Sequence, residues 1–174
     1  VRFAVITLCG VFNLWVTPTL AQTMPADNIA QVNQVLDSLH EAADRADGPA
    51  YFALFTPGAR FIGTDAGERW SLEAFRAYAE PYFAQGRGWR YVPRERVVSL
   101  LPLECQCVAS FDERLDNAAY GETRGSGVLI KTPSGWKIEQ YVLSFAVPND
   151  VARQVVAVIA VGKEPSAPEP SPGD

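Results

Sequence analysis

One histidine, His40, and three cysteines are all the imidazole and thiol groups in the 174-residue sequence. A Cys/His zinc site draws on spaced sets of such ligands, so that class is excluded. Basic residues are also sparse. The chain has 15 Lys and Arg against 20 Asp and Glu, a formal net charge of −5. Its arginines are scattered, and nucleic-acid binding demands a basic face, so no nucleic-acid partner is expected. No polybasic cluster is present to hold the chain to an anionic membrane surface.

Long apolar runs are scarce too. Phe3 to Val16 is the longest, too short for a membrane span, and it follows the basic end Val1-Arg2. Thr19 and Ala21 put small residues at positions −3 and −1 before Gln22. Residues 1–21 therefore read as a cleaved signal peptide, with an uncleaved anchor as the alternative. The expected location is periplasmic or secreted, with no membrane contact after cleavage. Loss of Arg2 takes Lys plus Arg from 15 to 14 and the net charge from −5 to −6. Cys9 follows the bulky Leu8 and makes a poor lipidation site. Cys105 and Cys107, placed on a strand, would share a face about 6.6 Å apart along the chain. A disulfide brings Cβ atoms to about 3.8 Å. The two are therefore expected to stay unbridged within the chain, as small buried hydrophobes.

What is present describes one globular domain over 22–162, followed by a Pro/Ser/Glu-rich tail over 163–174 with a disordered composition. Ile29, Val32, Leu36, Leu39 and Ala43 recur at helical spacing behind Asp27, a candidate N-cap. Gly48-Pro49 closes that helix, and Ala50 to Phe55 reads as a short second one. Thr56-Pro57-Gly58 reads as a turn, Ala59 to Thr64 as a strand, and Asp65-Ala66-Gly67 as a second turn. Ser71 caps a helix whose stripe is Leu72, Phe75, Ala79, Tyr82 and Phe83, with Pro81 as a kink and Gly86 to Gly88 as its stop. Four strands follow, near Trp89–Leu101, Gln106–Leu115, Glu122–Lys131 and Trp136–Val147, with hairpin-length connections. Val151, Val155, Val158 and Ile159 mark a last amphipathic helix. Helices followed by consecutive strands give an α+β fold: a curved antiparallel sheet with helices on its concave face, forming a cone whose mouth is the natural ligand site.

FIGTDAGERW (61–70), FDERLDNAAYGETRGSGVL (111–129) and GWKIEQYVLSFAVPND (135–150), in this order of elements, resemble the SnoaL-like branch of the nuclear-transport-factor-2-like superfamily. The resemblance covers about residues 30–160. It implies a pocket inside the cone and a homodimer through the outer sheet face. Relatives include cyclases, isomerases, hydrolases and dehydratases, and also members that only bind or assemble. Catalytic relatives generally place an Asp, alone or with His or Tyr, inside the cone. They share no motif that carries over residue by residue, and no cofactor is implied.

The residues supply their own candidates. Strand alternation sends Asp112, Arg114 and Asp116 to one face and Glu113 to the other, with Phe111 and Leu115. Glu113 thus lies among apolar neighbours, where a carboxyl pKa rises and general acid/base work becomes feasible. The other reading pairs Glu113 with Arg124 or Arg94 across the sheet. His40, at the edge of the first helix's stripe, either shuttles a proton in the cone or is a structurally bonded border histidine. Tyr78, Tyr82, Trp89, Tyr120 and Tyr141 are either an aromatic lining or core. Arg124 is placed with that lining. Gly125-Ser126-Gly127 lacks the strand-loop-helix context and Lys of a phosphate loop, and Ser126 lacks an elbow motif. In FIGTDAGERW, Asp65 and Gly67 read as turn chemistry, and Trp70 as a staple onto Phe75 ahead of the Ser71 cap. The functional reading puts Asp65 and Glu68 over the cone's mouth, with Trp70 lining it. Together these features point to a small-molecule-binding domain for an apolar ligand. Acting as an enzyme, it would work by acid/base chemistry of the isomerase, cyclase or hydratase/dehydratase kind. The alternative is a non-catalytic interaction or assembly module.

Overall fold

The computed structural model describes residues 25–162. The expected signal peptide and the Pro-rich tail lie outside the described residues. Helix α1 (Pro25–Asp44) begins two residues before Asp27, so Asp27 sits in its first turn rather than at the cap. There its carboxylate still faces the positive end of the helix dipole. The stripe buries Val32, Leu36, Leu39 and Ala43, with Ala42 beside them, while Ile29 stays half-buried. Asn28 is buried instead, and its Oδ1 accepts from Lys131 Nζ at 2.9 Å.

The first helix ends at Asp44 and the chain turns at Ala46, with φ 54°, so Gly48-Pro49 opens the second helix and does not close the first. In α2 (Gly48–Ala53), the Asp47 carboxylate caps the Ala50 N–H at 3.0 Å and proline takes the first turn, where its missing N–H costs nothing. The turn expected at Thr56-Pro57-Gly58 lies inside strand β1 (Phe55–Ile62). Pairing with the neighbouring strand β6 jumps from Phe55↔Ile138 to Arg60↔Gln140. Proline cannot feed the ladder, so these residues are looped out as a bulge and the strand continues past them.

The turn at 65–67 leads into a short strand, β2 (Arg69–Ser71), and then α3 (Leu72–Phe83). Ser71 Oγ accepts from Ala74 N at 3.2 Å, and the Trp70 and Phe75 rings stack 5.5 Å apart, the expected cap and staple. Phe75, Ala79 and Phe83 form the buried stripe. Tyr82, assigned to that stripe from sequence, is exposed, with the Arg87 guanidinium over its ring.

Strands β3 (Val92–Leu100), β4 (Val108–Asn117), β5 (Gly121–Thr132) and β6 (Gly135–Phe145) form an antiparallel meander. The six strands make one curved, unclosed sheet in the order β2-β1-β6-β5-β4-β3. It is mixed, because β1 runs parallel to β6. The inner face of β4 and β5 carries Ala109, Phe111, Leu115 and Leu129, and α1, α2 and α3 cover the sheet to make the core.

The Cys105–Cys107 expectation is overturned. The two are disulfide-bonded, with Cα atoms 5.1 Å apart. They lie in the loop between β3 and β4, where Gln106 at φ 45° turns the chain back on itself. A strand would have held the sulfurs apart, and the loop does not. The last helix, α4 (Ala152–Gly162), buries none of its residues, leaving Val158 and Ile159 exposed. No described helix is long and apolar enough to cross a membrane.

Candidate functional site

Glu113 sits midway along β4, and the run from Val108 to Asn117 pairs with β5 without a register break. That regularity keeps its side chain on the inner face, where it is 1% exposed. Three elements deliver its partners. His40 of α1 places Nε2 2.8 Å from Glu113 Oε1. Tyr141 of β6 donates its hydroxyl to the same oxygen at 2.9 Å. Arg96 of β3, directly opposite Glu113 across the ladder, donates from Nε to Oε2 at 2.7 Å. Arg96 Nη1 in turn reaches Asp37 Oδ1 at 2.7 Å and the Asn33 carbonyl at 3.2 Å. Asn33, Asp37 and His40 follow one another at spacings of four and three, so they share one face of α1. A chain of charge therefore runs inward from the half-solvated Asp37 through Arg96 to Glu113, and ends on an imidazole and a phenol.

The sequence suggested a carboxyl with a raised pKa. The structure corrects this. Burial is the strongest single influence and pushes the Glu113 pKa up. The His40 hydrogen bond and charge, with the Arg96 charge and hydrogen bond, together outweigh it and hold the carboxyl below its ordinary value. Glu113 is therefore an ionised carboxylate at neutral pH, and a carboxylate only accepts hydrogen bonds. His40 therefore donates to it from Nε2, which leaves Nδ1 as the ring nitrogen available for acid/base work. Burial, then the charge and hydrogen bonding of Glu113, push the Tyr141 phenol well above its usual range, so it stays protonated and donates.

Gly125 makes this arrangement sterically feasible. It is the cross-strand partner of Glu113 on β5, and a Cβ there would overlap the Tyr141 hydroxyl and come within 2.9 Å of Glu113 Oε1. Gly125→Ala is expected to displace the phenol and destabilise the domain by about 1–3 kcal/mol. Thermal melts of the two proteins check this, and an unchanged melting temperature contradicts it.

His40 and Tyr141 both line a cavity of about 180 Å³. Its floor is aromatic. Phe61 stacks on Tyr141 at 5.7 Å and on Phe75 at 3.9 Å, with the rings within 11° of parallel. Toward the opening Trp70 stacks on Tyr78 at 5.0 Å, while Trp89, Tyr91 and Tyr120 form further lining. Glu68 is also in the lining. On the other side of His40, Asp37, Glu41, Asp44 and Arg90 border a second, open groove. Among the described residues, no three His, Cys, Asp or Glu side chains are placed to hold a metal ion.

The structure thus gathers His40, Glu68, Trp70, Tyr78, Trp89, Tyr120 and Tyr141 around one cavity, with Glu113 behind His40 and Tyr141. Three expected lining residues lie elsewhere. Asp65 points into its own turn, where Oδ1 accepts from Gly67 N at 2.7 Å. Tyr82 is on the solvent side of α3. Arg124 faces outward, since its neighbour Gly125 shares the inner face with Glu113. Neither arginine proposed as Glu113's partner fills that role, because Arg94 pairs with Asp116 on the exposed side. Arg96, Asp37, Phe61 and Tyr91 were not singled out from sequence. The one signal available was Asp37, three residues before His40 on the same helical face.

A helix-covered, unclosed sheet with its cavity at the concave face is the cystatin-like α+β cone. The chain belongs to the SnoaL-like domain family, which it matches over residues 32–148. Several solved structures share the fold. A dehydratase candidate of the NTF2-like family from Streptomyces avermitilis is 15% identical, with a TM-score of 0.61, covering 72% of this chain and 100% of that one. An aromatic ring hydroxylase candidate from Novosphingobium aromaticivorans is 18% identical, with a TM-score of 0.58, covering 72% and 94%. A cystatin-like fold protein from Burkholderia xenovorans is 24% identical, with a TM-score of 0.56, covering 70% and 95%. At such identities the likeness shows the fold alone. No curated protein matches the chain.

Proposed function

We propose that this domain binds a small, largely apolar molecule in the aromatic cavity and transfers a proton on it, with His40 as the catalytic base and acid. The observation that carries the reading is the buried Glu113 carboxylate held between His40, Tyr141 and Arg96 at 2.7–2.9 Å, directly behind the cavity wall. Glu113 is a positioning residue, which fixes the imidazole tautomer and offsets the charge that His40 gains when it takes a proton. Tyr141 secures the same carboxylate from the other side. The chemistry that fits is removal of a proton beside a carbonyl and its return elsewhere, or loss of water after such a removal. A dehydratase candidate among the proteins of like fold is consistent with this class.

The cavity's size limits the ligand. An apolar cavity of about 150 Å³ takes up benzene, so about 180 Å³ suits a molecule built on one ring. Acetophenone is therefore a suitable probe. It is expected to bind saturably, quenching the fluorescence of Trp70 and Trp89, and to exchange its methyl protons in D₂O faster with protein than without. Absence of both effects contradicts the reading.

We further propose that the domain is exported and forms a homodimer. The leader-like residues 1–21 and the Cys105–Cys107 disulfide support export, since disulfides persist in oxidising compartments. Recovery of the full chain from a bacterial host in the cytoplasmic fraction, uncleaved, would contradict it. The exposed apolar side chains of α4 support association, and they also favour the second reading, an assembly module. Sedimentation of Val158→Asp as well as of the native protein tests this: a native monomer contradicts association.

A further inference from the structure

The two ends of the cavity differ chemically. The floor holds His40, Phe61, Phe75 and Tyr141. At the opening, Glu68 is half-buried among Trp70, Tyr78, Tyr91 and Tyr120. The lining contains no lysine or arginine, so no permanent cation there answers an anionic ligand.

Glu68 is held in place by its loop. Its backbone N–H bonds the Asp65 carbonyl at 3.0 Å, and its carbonyl accepts from Gly63 N at 2.9 Å. One carboxylate oxygen accepts from Asp65 N at 3.1 Å. A Cβ on Gly63 would overlap that carboxylate, so a side chain there would require Glu68 to shift. Yet among the described residues Glu68 has no ion-pair partner, whereas the buried Glu113 behind the cavity is paired with Arg96, and Arg96 with Asp37. A half-buried carboxylate without an ion pair among the described residues, bordered by aromatic rings, is an uncompensated negative site. Its charge reaches the adjacent phenols. Burial first, then Tyr120 and Glu68, push Tyr91 up to about 12, and Glu68 adds to burial and to Tyr82 in raising Tyr78. Aromatic faces carry negative potential of the same sign, and attract ammonium groups.

We propose that the opening of the cavity is a binding site for an organic cation, an alkylammonium group seated between the Glu68 carboxylate and the surrounding aromatic rings, with the rest of the ligand directed to the His40 floor. This inference rests on the reading of the cavity as a small-molecule site, and names the class of molecule that site takes. The ligand is then a small amine or quaternary ammonium compound whose uncharged portion carries the reacting carbon. The ammonium end supplies binding and orientation and takes no part in the proton transfer.

Choline and its uncharged carbon isostere 3,3-dimethyl-1-butanol have nearly the same shape and differ in charge. Titration calorimetry with both, on the native protein, is expected to show choline bound at least tenfold tighter. Glu68→Gln, which retains an oxygen to accept from Asp65 N, is expected to remove most of that advantage and leave the isostere's affinity within about threefold. Equal affinity for the pair on the native protein overturns the inference whether or not the variant folds. Failure of both probes while acetophenone binds overturns the inference and leaves the small-molecule reading standing. Failure of all three overturns both.

Discussion

Glu113→Ala is expected to destabilise the domain by about 3–5 kcal/mol, the usual cost of breaking a buried ion pair by removing one partner. Only 9% of the Arg96 side chain is exposed and none of Glu113's, so the guanidinium left behind has little water to turn to. One of its nitrogens, Nη2, is already buried without a partner among the described residues. Asp37 remains, but its side chain is 60% exposed and its charge is screened by solvent. For a chain of this size each kcal/mol moves the melting temperature by about 2–4 °C, so the variant is expected to melt roughly 10 °C lower. A change below about 1 kcal/mol would mean that Glu113 is not the buried counterion described above. The same pair sets a pH dependence. The Glu113 pKa is lower in the native state than its ordinary value of 4.5, so the unfolded chain takes up the proton first. The stability this group provides is complete above that ordinary value and is lost as pH falls through the native value. Glu113→Gln is expected to flatten that acid limb in denaturant titrations at a series of pH values.

His40→Ala is expected to lower proton exchange on acetophenone by about 10²–10⁴-fold, the range of a positioned general acid/base. Affinity for the probe is expected to change by no more than about threefold, because the rings of the floor stay in place. The split between rate and binding matters, since a purely structural histidine would affect both through the fold. Tyr141→Phe provides the comparison. It removes one of the two donors to Glu113 Oε1 and leaves the imidazole, so its loss of rate is expected to be much smaller than that of His40→Ala. Equal losses in the two variants would assign the proton transfer to the hydrogen-bonded network as a whole rather than to His40.

The sequence identifies Glu113 and His40 because each lies on an element with uninterrupted periodicity. Strand β4 has no bulge between Val108 and Asn117, so simple alternation puts Glu113 inside. The i, i+3 and i+4 pattern of α1 likewise fixes His40 relative to Leu36 and Leu39. The partner arginine is hidden by a register shift. Between Pro93 and Glu95 the pairing of β3 with β4 slips, and this brings Arg96 opposite Glu113 while Arg94 turns outward to Asp116. A proline at that point marks an irregularity, but not which way the strand moves. Burial alone raises a carboxyl; the His40 hydrogen bond and charge, together with Arg96, reverse the direction, and strand alternation reveals neither contact. At Cys105 and Cys107 the error came from extending a strand through residues that form a loop. The parallel pairing of β1 with β6 joins segments some 80 residues apart, as in Phe61↔Tyr141, and no local pattern encodes it. The Trp70 staple and the Ser71 cap are contacts between sequence neighbours, and for that reason both were legible.

His40 is the only histidine in the chain, so its imidazole can be observed without assignment by mutation. Nitrogen-15 NMR of the imidazole, with and without acetophenone, is the most direct test of a Glu113-oriented base at the cavity wall. The expected spectrum at pH above the imidazole's titration is that of the neutral ring protonated on Nε2, with the Nδ1 resonance moving when the probe binds. A ring protonated on Nδ1, or an Nδ1 resonance indifferent to a probe that demonstrably binds, would contradict the assignment of His40 as the base.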